Sequence, residues 1–156
     1  MKFVSFLLKG QPKFGISDGN NITDLTGKIK GAQTLKELIS NKSLQEAKDF
    51  SKKNPGKINH DEIEYLPVIP NPGKIVCVGL NYSEHVKETG RTVEQNPVIF
   101  LRVPESQTAH KQPIQRPKVS ESLDYECEMA VIMGDAGKHI KPENALKHIV
   151  GYSCYN

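Results

Sequence analysis

Two pairs of residues in this chain have types and spacings that could do chemistry: Glu126 with Glu128, and His85 with Glu88. Side chains alternate between faces in an extended segment. Reading Leu123 to Met133 as a strand therefore puts Asp124, Glu126 and Glu128 on one face and Tyr125, Cys127 and Met129 on the other. At a rise of about 3.3 Å per residue the two glutamates sit roughly 7 Å apart along the backbone, so both carboxylates can converge on one cation. The segment continues into Ala130-Val131-Ile132-Met133, apolar on both faces, which reads as buried. Two carboxylates leading into a buried strand repel each other and lose hydration unless a cation neutralises them. A solvated face on a half-exposed strand produces the same E-x-E pattern, and for the tripeptide alone that is the commoner origin.

The second pair lies upstream. Lys74-Ile-Val-Cys-Val-Gly79 reads as a short buried strand with a glycine exit, followed by Leu80-Asn-Tyr-Ser-Glu-His-Val-Lys-Glu-Thr-Gly90. Ser83 can cap a short helix and Gly90 can end it, which makes His85 and Glu88 neighbours at i and i+3. A carboxylate beside an imidazole fixes its tautomer and raises its basicity, as a water-activating base requires. An ordinary surface His near an ordinary surface Glu has the same spacing. A strand, turn and helix carrying His–Glu, with an E-x-E strand about 40 residues on, is more specific than either part.

The elements that must position these residues are legible along the chain. Residues 1–30 alternate (Phe3, Ser5, Leu7; Phe14, Ile16; Ile22) around a Gly19-Asn20 turn, as three short antiparallel strands do. Thr34-Leu-Lys-Glu37 and Ser43-Leu-Gln-Glu46 are capping-box patterns for two short helices, the second stopped by Asn54-Pro55-Gly56. Ile63 to Leu66 reads as a strand. The stiff Pro67–Gly73 connector then marks a boundary between a small α+β domain, 1–68, and a second domain, 69–156. Pro97 to Arg102 is another strand. Residues 103–120, with Pro104, Pro113 and Pro117, form a turn-rich loop in which His110 reads as a polar loop residue sooner than a ligand contact. A helix is expected from Pro142 to Val150, stopped by Gly151 and with His148 at its end; His139 reads as structural.

Taken together, KIVCVGLNYSEHVKETG, PVIFLRVPES, PIQRPKVSESLDYECEMAVIMG, GKHI and ALKHIVGYS resemble the fumarylacetoacetate hydrolase family, in particular its acylpyruvase and isomerase branch. The resemblance covers residues 69–156 densely and the first 68 more weakly. It implies an α+β fold: a small N-terminal α+β domain, then part of a mostly β catalytic domain with a rolled, mixed sheet. It also implies that His85 and Glu88 are a water-activating dyad, and that Glu126 and Glu128 are ligands to Mg2+ or Mn2+. Arg102 would face the site and pair with an anionic keto acid, although a plain surface Arg fits that position equally well. The family's third ligand is an Asp directly after a GYxxxN pattern, and here Gly151-Tyr-Ser-Cys-Tyr-Asn156 closes the sequence. The resemblance therefore carries over two ligands and the dyad, as the front part of an enzyme.

Composition narrows the remaining classes. A net charge of +3, with scattered Lys and Arg, presents no basic block interleaved with aromatics for nucleic acid. No run approaches the roughly 20 apolar residues of a membrane span, and the apolar start Phe3–Leu8 is too short for a secretory signal. Cys77, Cys127 and Cys154 lack C-x-x-C spacing and lie in expected strands, so buried free thiols in a reducing cytoplasm are expected. Two functions follow. One is a divalent-metal-dependent hydrolase, isomerase or decarboxylase of small 2-oxo or 1,3-dicarbonyl acids, homodimeric in its full-length form. The alternative is a non-catalytic remnant of that family with little metal binding.

Overall fold

The computed structural model describes residues 1–91 and 96–156. The first part of the chain is built on a five-stranded antiparallel sheet. Strands β1 (Lys2–Leu8), β2 (Gln11–Ser17), β3 (Asn21–Asp24), β4 (Ile58–Asn59) and β5 (Ile63–Tyr65) take the order β4-β3-β2-β1-β5. Its two edge strands are consecutive in sequence, joined only by the 3-10 turn His60–Glu62. Flat, the edges would be about 19 Å apart, four strand spacings, whereas the linker reaches roughly 14 Å. The sheet must therefore curl.

His60 sits at that joint. Its Nε2 is 3.0 Å from Ser17 Oγ and its Nδ1 2.6 Å from Tyr65 Oη, tying β2 to β5. Ser17 is buried, and its hydroxyl also accepts from the Gly19 N–H at 3.0 Å. Gly15 is required by sterics: a Cβ there would stand 2.2 Å from the Thr23 carbonyl oxygen.

Two helices cover the sheet. In α1 (Leu35–Ser40) the capping box is complete, Thr34 accepting from the Glu37 N–H and Glu37 accepting from the Thr34 N–H, while Leu35 and Leu38 point inward. In α2 (Leu44–Lys53) the same pattern does not close: Ser43 makes no side-chain cap and its hydroxyl donates to the Asn41 carbonyl instead. Phe14, Ile16, Leu25, Ile29, Leu35, Leu38 and Ala47 form the core here.

Beyond residue 70 the strands pair only as two-stranded ribbons among the described residues. Strand β6 (Ile75–Gly79) pairs antiparallel with β7 (Val98–Arg102), and β8 (Glu128–Met133) with β9 (Ile149–Tyr155). Helix α3 (Ser83–Glu88) follows β6, and the short α4 (Pro142–Ala145) precedes β9. The contacts divide the chain into two units, residues 1–69 with 108–156, and residues 70–107. Within the first unit, residues 108–112 lie on β5: Gln112 Nε2 donates to Glu64 Oε1 at 3.0 Å, and His110 meets the Tyr65 ring edge-on, centroids 5.0 Å apart. Lys42 Nζ donates to the Gly134 carbonyl at 2.7 Å and pairs with Asp135, which holds the Asp135 carboxyl below its ordinary pKa.

Four expectations need correction. The strand expected over 123–133 begins only at Glu128, where the ladder with β9 opens on the Glu128–Tyr155 pair, so Glu126 precedes the strand. The helix expected to Val150 ends in a 3-10 turn at His148. The β-branched Ile149 and Val150 join the ladder, and Gly151 lies within β9. Cys127 and Cys154 are exposed free thiols and Cys77 is half-buried, because the ribbons leave faces uncovered. For the same reason Ala130–Met133 alternates half-buried with exposed instead of lying buried on both faces.

Candidate active site

Strand β6 exits through Gly79 into a turn where Leu80 adopts a left-handed φ of 53°. A non-glycine residue in that region costs of order 1 kcal/mol and persists only where its surroundings hold it. The turn aims α3 across the end of β6–β7. Val86, 2% exposed, anchors the helix. Its far end is a Schellman motif: Gly90 at φ 67° donates to the Lys87 carbonyl and the Arg91 N–H to the Val86 carbonyl. With Val86 inward, His85 and Glu88 face outward, His85 Nδ1 lying 3.7 Å from Glu88 Oε2 with side chains 56% and 76% exposed. That separation allows an ion pair but exceeds a hydrogen bond, and a closer approach needs only a side-chain rotation. Neighbouring Glu84 takes Lys87 at 2.7 Å, which leaves Glu88 to His85. A cleft of about 290 Å³ opens beside α3, lined by Gly79, Leu80, Asn81, Ser83, Val86 and Pro97 among others.

Arg102 ends β7. Its Nε donates to Ser106 Oγ at 3.2 Å and its Nη2 to the Ser106 carbonyl at 3.3 Å, so the guanidinium is held along the following turn.

Glu128 opens β8, half-buried, and Glu126 is exposed just before it. The Glu126 N–H donates to Asn156 Oδ1 at 2.8 Å, so the backbone follows the direction of the ladder although the strand has ended. As donors, two carboxylates suit a hard dication such as Mg2+ or Mn2+. In number they fall short. Among the described residues no group of three or more His, Cys, Asp or Glu side chains is placed to hold a metal. His85, Glu88 and Arg102 belong to the unit of residues 70–107, and Glu126 and Glu128 to the other.

Two features escaped the reading of the sequence. The left-handed Leu80 had one signal, a bulky residue between the strand's exit glycine and the helix. The cleft depends on how β7 returns beside α3 and had none.

The profile described as fumarylacetoacetate (FAA) hydrolase C-terminal matches residues 74–156. The chain is 35% identical over 160 residues to Xenopus laevis oxaloacetate tautomerase fahd2, mitochondrial, covering 98% of this chain and 50% of that protein. A fumarylacetoacetate hydrolase from Exiguobacterium antarcticum superimposes with a TM-score of 0.79 at 30% identity, over 99% of this chain and 54% of that one. Maleylpyruvate hydrolase from Sphingobium sp. SYK-6, solved with manganese(II) and pyruvate, shares the fold at a TM-score of 0.80 and 21% identity, over 99% and 57% of the two chains. The chain thus spans about half the length of the relatives it matches. A profile match that takes in the His–Glu helix and the E-x-E segment, on a shared α+β fold, shows that the chain belongs to the fumarylacetoacetate hydrolase family.

Proposed function

We propose that this chain carries the base and part of the metal-binding set of a divalent-metal-dependent enzyme acting on small 2-oxo or 1,3-dicarbonyl acids. The observation that carries the reading is the outward-facing His85–Glu88 pair on a helix anchored by Val86, beside a cleft at a strand-to-helix turn. In this reading His85 takes a proton from water or from the carbon next to a carbonyl. Glu88 holds the ring and stabilises the imidazolium that forms. Arg102 suits the substrate's carboxylate, since a guanidinium binds it with two parallel hydrogen bonds. A bound dication would polarise the substrate's oxo-acid end and favour its enolate. Isomerisation and tautomerisation pass through such an enolate, hydrolysis expels one after water attacks the neighbouring ketone, and decarboxylation leaves one behind as CO2 departs, so the proposal is made at that level.

Within this proposal Glu126 and Glu128 are the ligands this chain supplies. The register supports a third beside them: continued by one residue, the ladder sets the position after Asn156 opposite Glu126 on the same face. An Asp there would complete three carboxylates. In the same proposal residues 1–68 form the small domain and 69–156 the front of the catalytic domain, and the full-length form is a homodimer.

The test is an extended form tested against acylpyruvates and oxaloacetate in the presence of Mg2+ or Mn2+. Turnover abolished by His85→Ala supports the assignment, and turnover unchanged by that substitution refutes it.

A further inference from the structure

The connection from β8 to β9 carries charge that the proposed chemistry does not use. It forms an open cleft of about 470 Å³ lined by Lys138, His139, Lys141, Lys147 and His148 among others. All of its lining residues fall between positions 137 and 148, so one stretch of chain inside one unit makes the whole cleft. No Asp or Glu is among them. The two acids nearest in sequence are placed otherwise: Asp135 pairs with Lys42, and Glu143 lies on α4 outside the lining set. Lys138 and Lys141 pair with no carboxylate among the described residues. Lys147 Nζ donates to Asn144 Oδ1 at 2.7 Å, a neutral partner that leaves its charge uncompensated. The backbone under these side chains is tightly packed. A Cβ on Gly137 would stand 2.4 Å from Ile140 Cδ1 and 2.9 Å from His148 Cε1. His148 Nδ1 lies 3.3 Å from the Asp135 carbonyl oxygen, which can only accept, so Nδ1 carries the hydrogen and Nε2 is left for a further partner. Lysines are almost never fully buried without a partner, so these ammonium groups face water or an anion in any longer form of the chain.

We propose that this cleft binds the pyrophosphate group of a small phosphorylated molecule. An ammonium is a compact point charge suited to phosphate oxygens, whereas a planar carboxylate is matched best by Arg, and no Arg lines the cleft. Two linked phosphates carry a charge of about −3 at pH 7, which the three lysines balance. No Phe, Tyr or Trp lines the cleft, so recognition stops at the phosphates and does not extend to a stacked base. The site is separate from the proposed metal ligands: β8 runs about 17 Å from Glu128 to Met133 at roughly 3.3 Å per residue, and the cleft follows Met133. The inference is independent of the proposed activity, and its readout is binding alone.

The experiment titrates the full-length protein, free of divalent cations, with pyrophosphate, orthophosphate, ATP and adenosine by calorimetry, and follows amide exchange by mass spectrometry. The expected result is one saturable site per chain for pyrophosphate with a Kd below about 1 mM, orthophosphate about tenfold weaker or more, and no binding of adenosine. Exchange should slow over residues 138–141. ATP weaker than pyrophosphate identifies the free ion as the source of the group, and ATP as tight or tighter identifies a nucleotide. Lys138→Glu combined with Lys141→Glu should raise Kd about tenfold or more. Lys53→Glu combined with Lys57→Glu makes the same change in net charge at exposed positions outside the cleft, and should change Kd less than about threefold because salt screens distant charges. All four lysines are exposed, so neither pair should alter the circular dichroism. Absence of saturable pyrophosphate binding, wild-type affinity in the Lys138 and Lys141 variant, or equal weakening by the two pairs would each overturn the proposal.

Discussion

At the scale of single residues, His85 has the clearest consequence. It is more than half exposed and contributes nothing to the core, so removing it should leave folding intact. In an extended form His85→Ala should cost about 10²–10⁴ in kcat, the usual range for losing a general base, with metal affinity unchanged because no ligand is lost. Steady-state kinetics beside a metal titration measure both. A second residue-scale prediction concerns Asp24. Burial pushes its carboxyl up, but the bond from Lys13 Nζ at 2.6 Å and the N–H of Thr26 outweigh burial and hold it below 3.8. A depressed folded-state value stabilises the protein above the unfolded pKa, and that stabilisation is lost as pH falls through the folded one. Asp24→Asn should therefore destabilise the protein at pH 7, by an amount that partial exposure keeps modest, and the gap from wild type should shrink as pH falls below the ordinary carboxylate range. Urea midpoints at pH 7 and below that range decide it.

At the scale of elements, helix α1 and strand β2 are the sensitive places. Leu38 is fully buried in the main core cluster, so Leu38→Ala should destabilise the N-terminal sheet by about 2–4 kcal/mol, read from a denaturant titration. Gly15→Ala should destabilise it as well, because the added Cβ would overlap the Thr23 carbonyl and force β2 and β3 apart where they pair. Helix α3 ends by backbone chemistry. Gly90→Ala, at φ 67°, should cost about 1 kcal/mol and fray the turn after Glu88, loosening the dyad without touching it. Amide exchange at Arg91 and Gly90 is the measurement, and protection equal to wild type would contradict the Schellman assignment.

At the scale of the whole molecule, the two parts of the chain differ in completeness. The N-terminal sheet buries its own core, whereas among the described residues beyond 70 the buried apolar side chains are Val86 in α3 and Ala109 in a loop, and the ribbons themselves contribute none. If the proposed metal set is right, a form extended through an Asp after Asn156 should bind Mn2+ far more tightly than residues 1–156. Three carboxylates attract the ion more strongly than two, and less of its coordination sphere is left to water. Calorimetric titration of both forms provides the comparison. Equal affinities would show that position to be dispensable.

Local devices were legible in the sequence because their physics is local. Thr34 and Glu37 lie three residues apart, Gly90 lies next to the helix it ends, and the apolar run of Ile75–Gly79 with its glycine exit belongs to a single strand, so each needs only its neighbours. The motifs around His85, Glu88, Glu126 and Glu128 were legible for the same reason, as was the family they indicate. Tertiary structure decided what depends on distant partners. Where β8 begins depends on which residues of β9 stand opposite it, not on the alternation of Leu123 to Met133. Closure of the curled sheet rests on His60 meeting both Ser17 and Tyr65, and the grip of Lys42 on Asp135 spans 93 positions. Such contacts depend on how the backbone brings remote side chains together, and no periodicity along the chain encodes that placement.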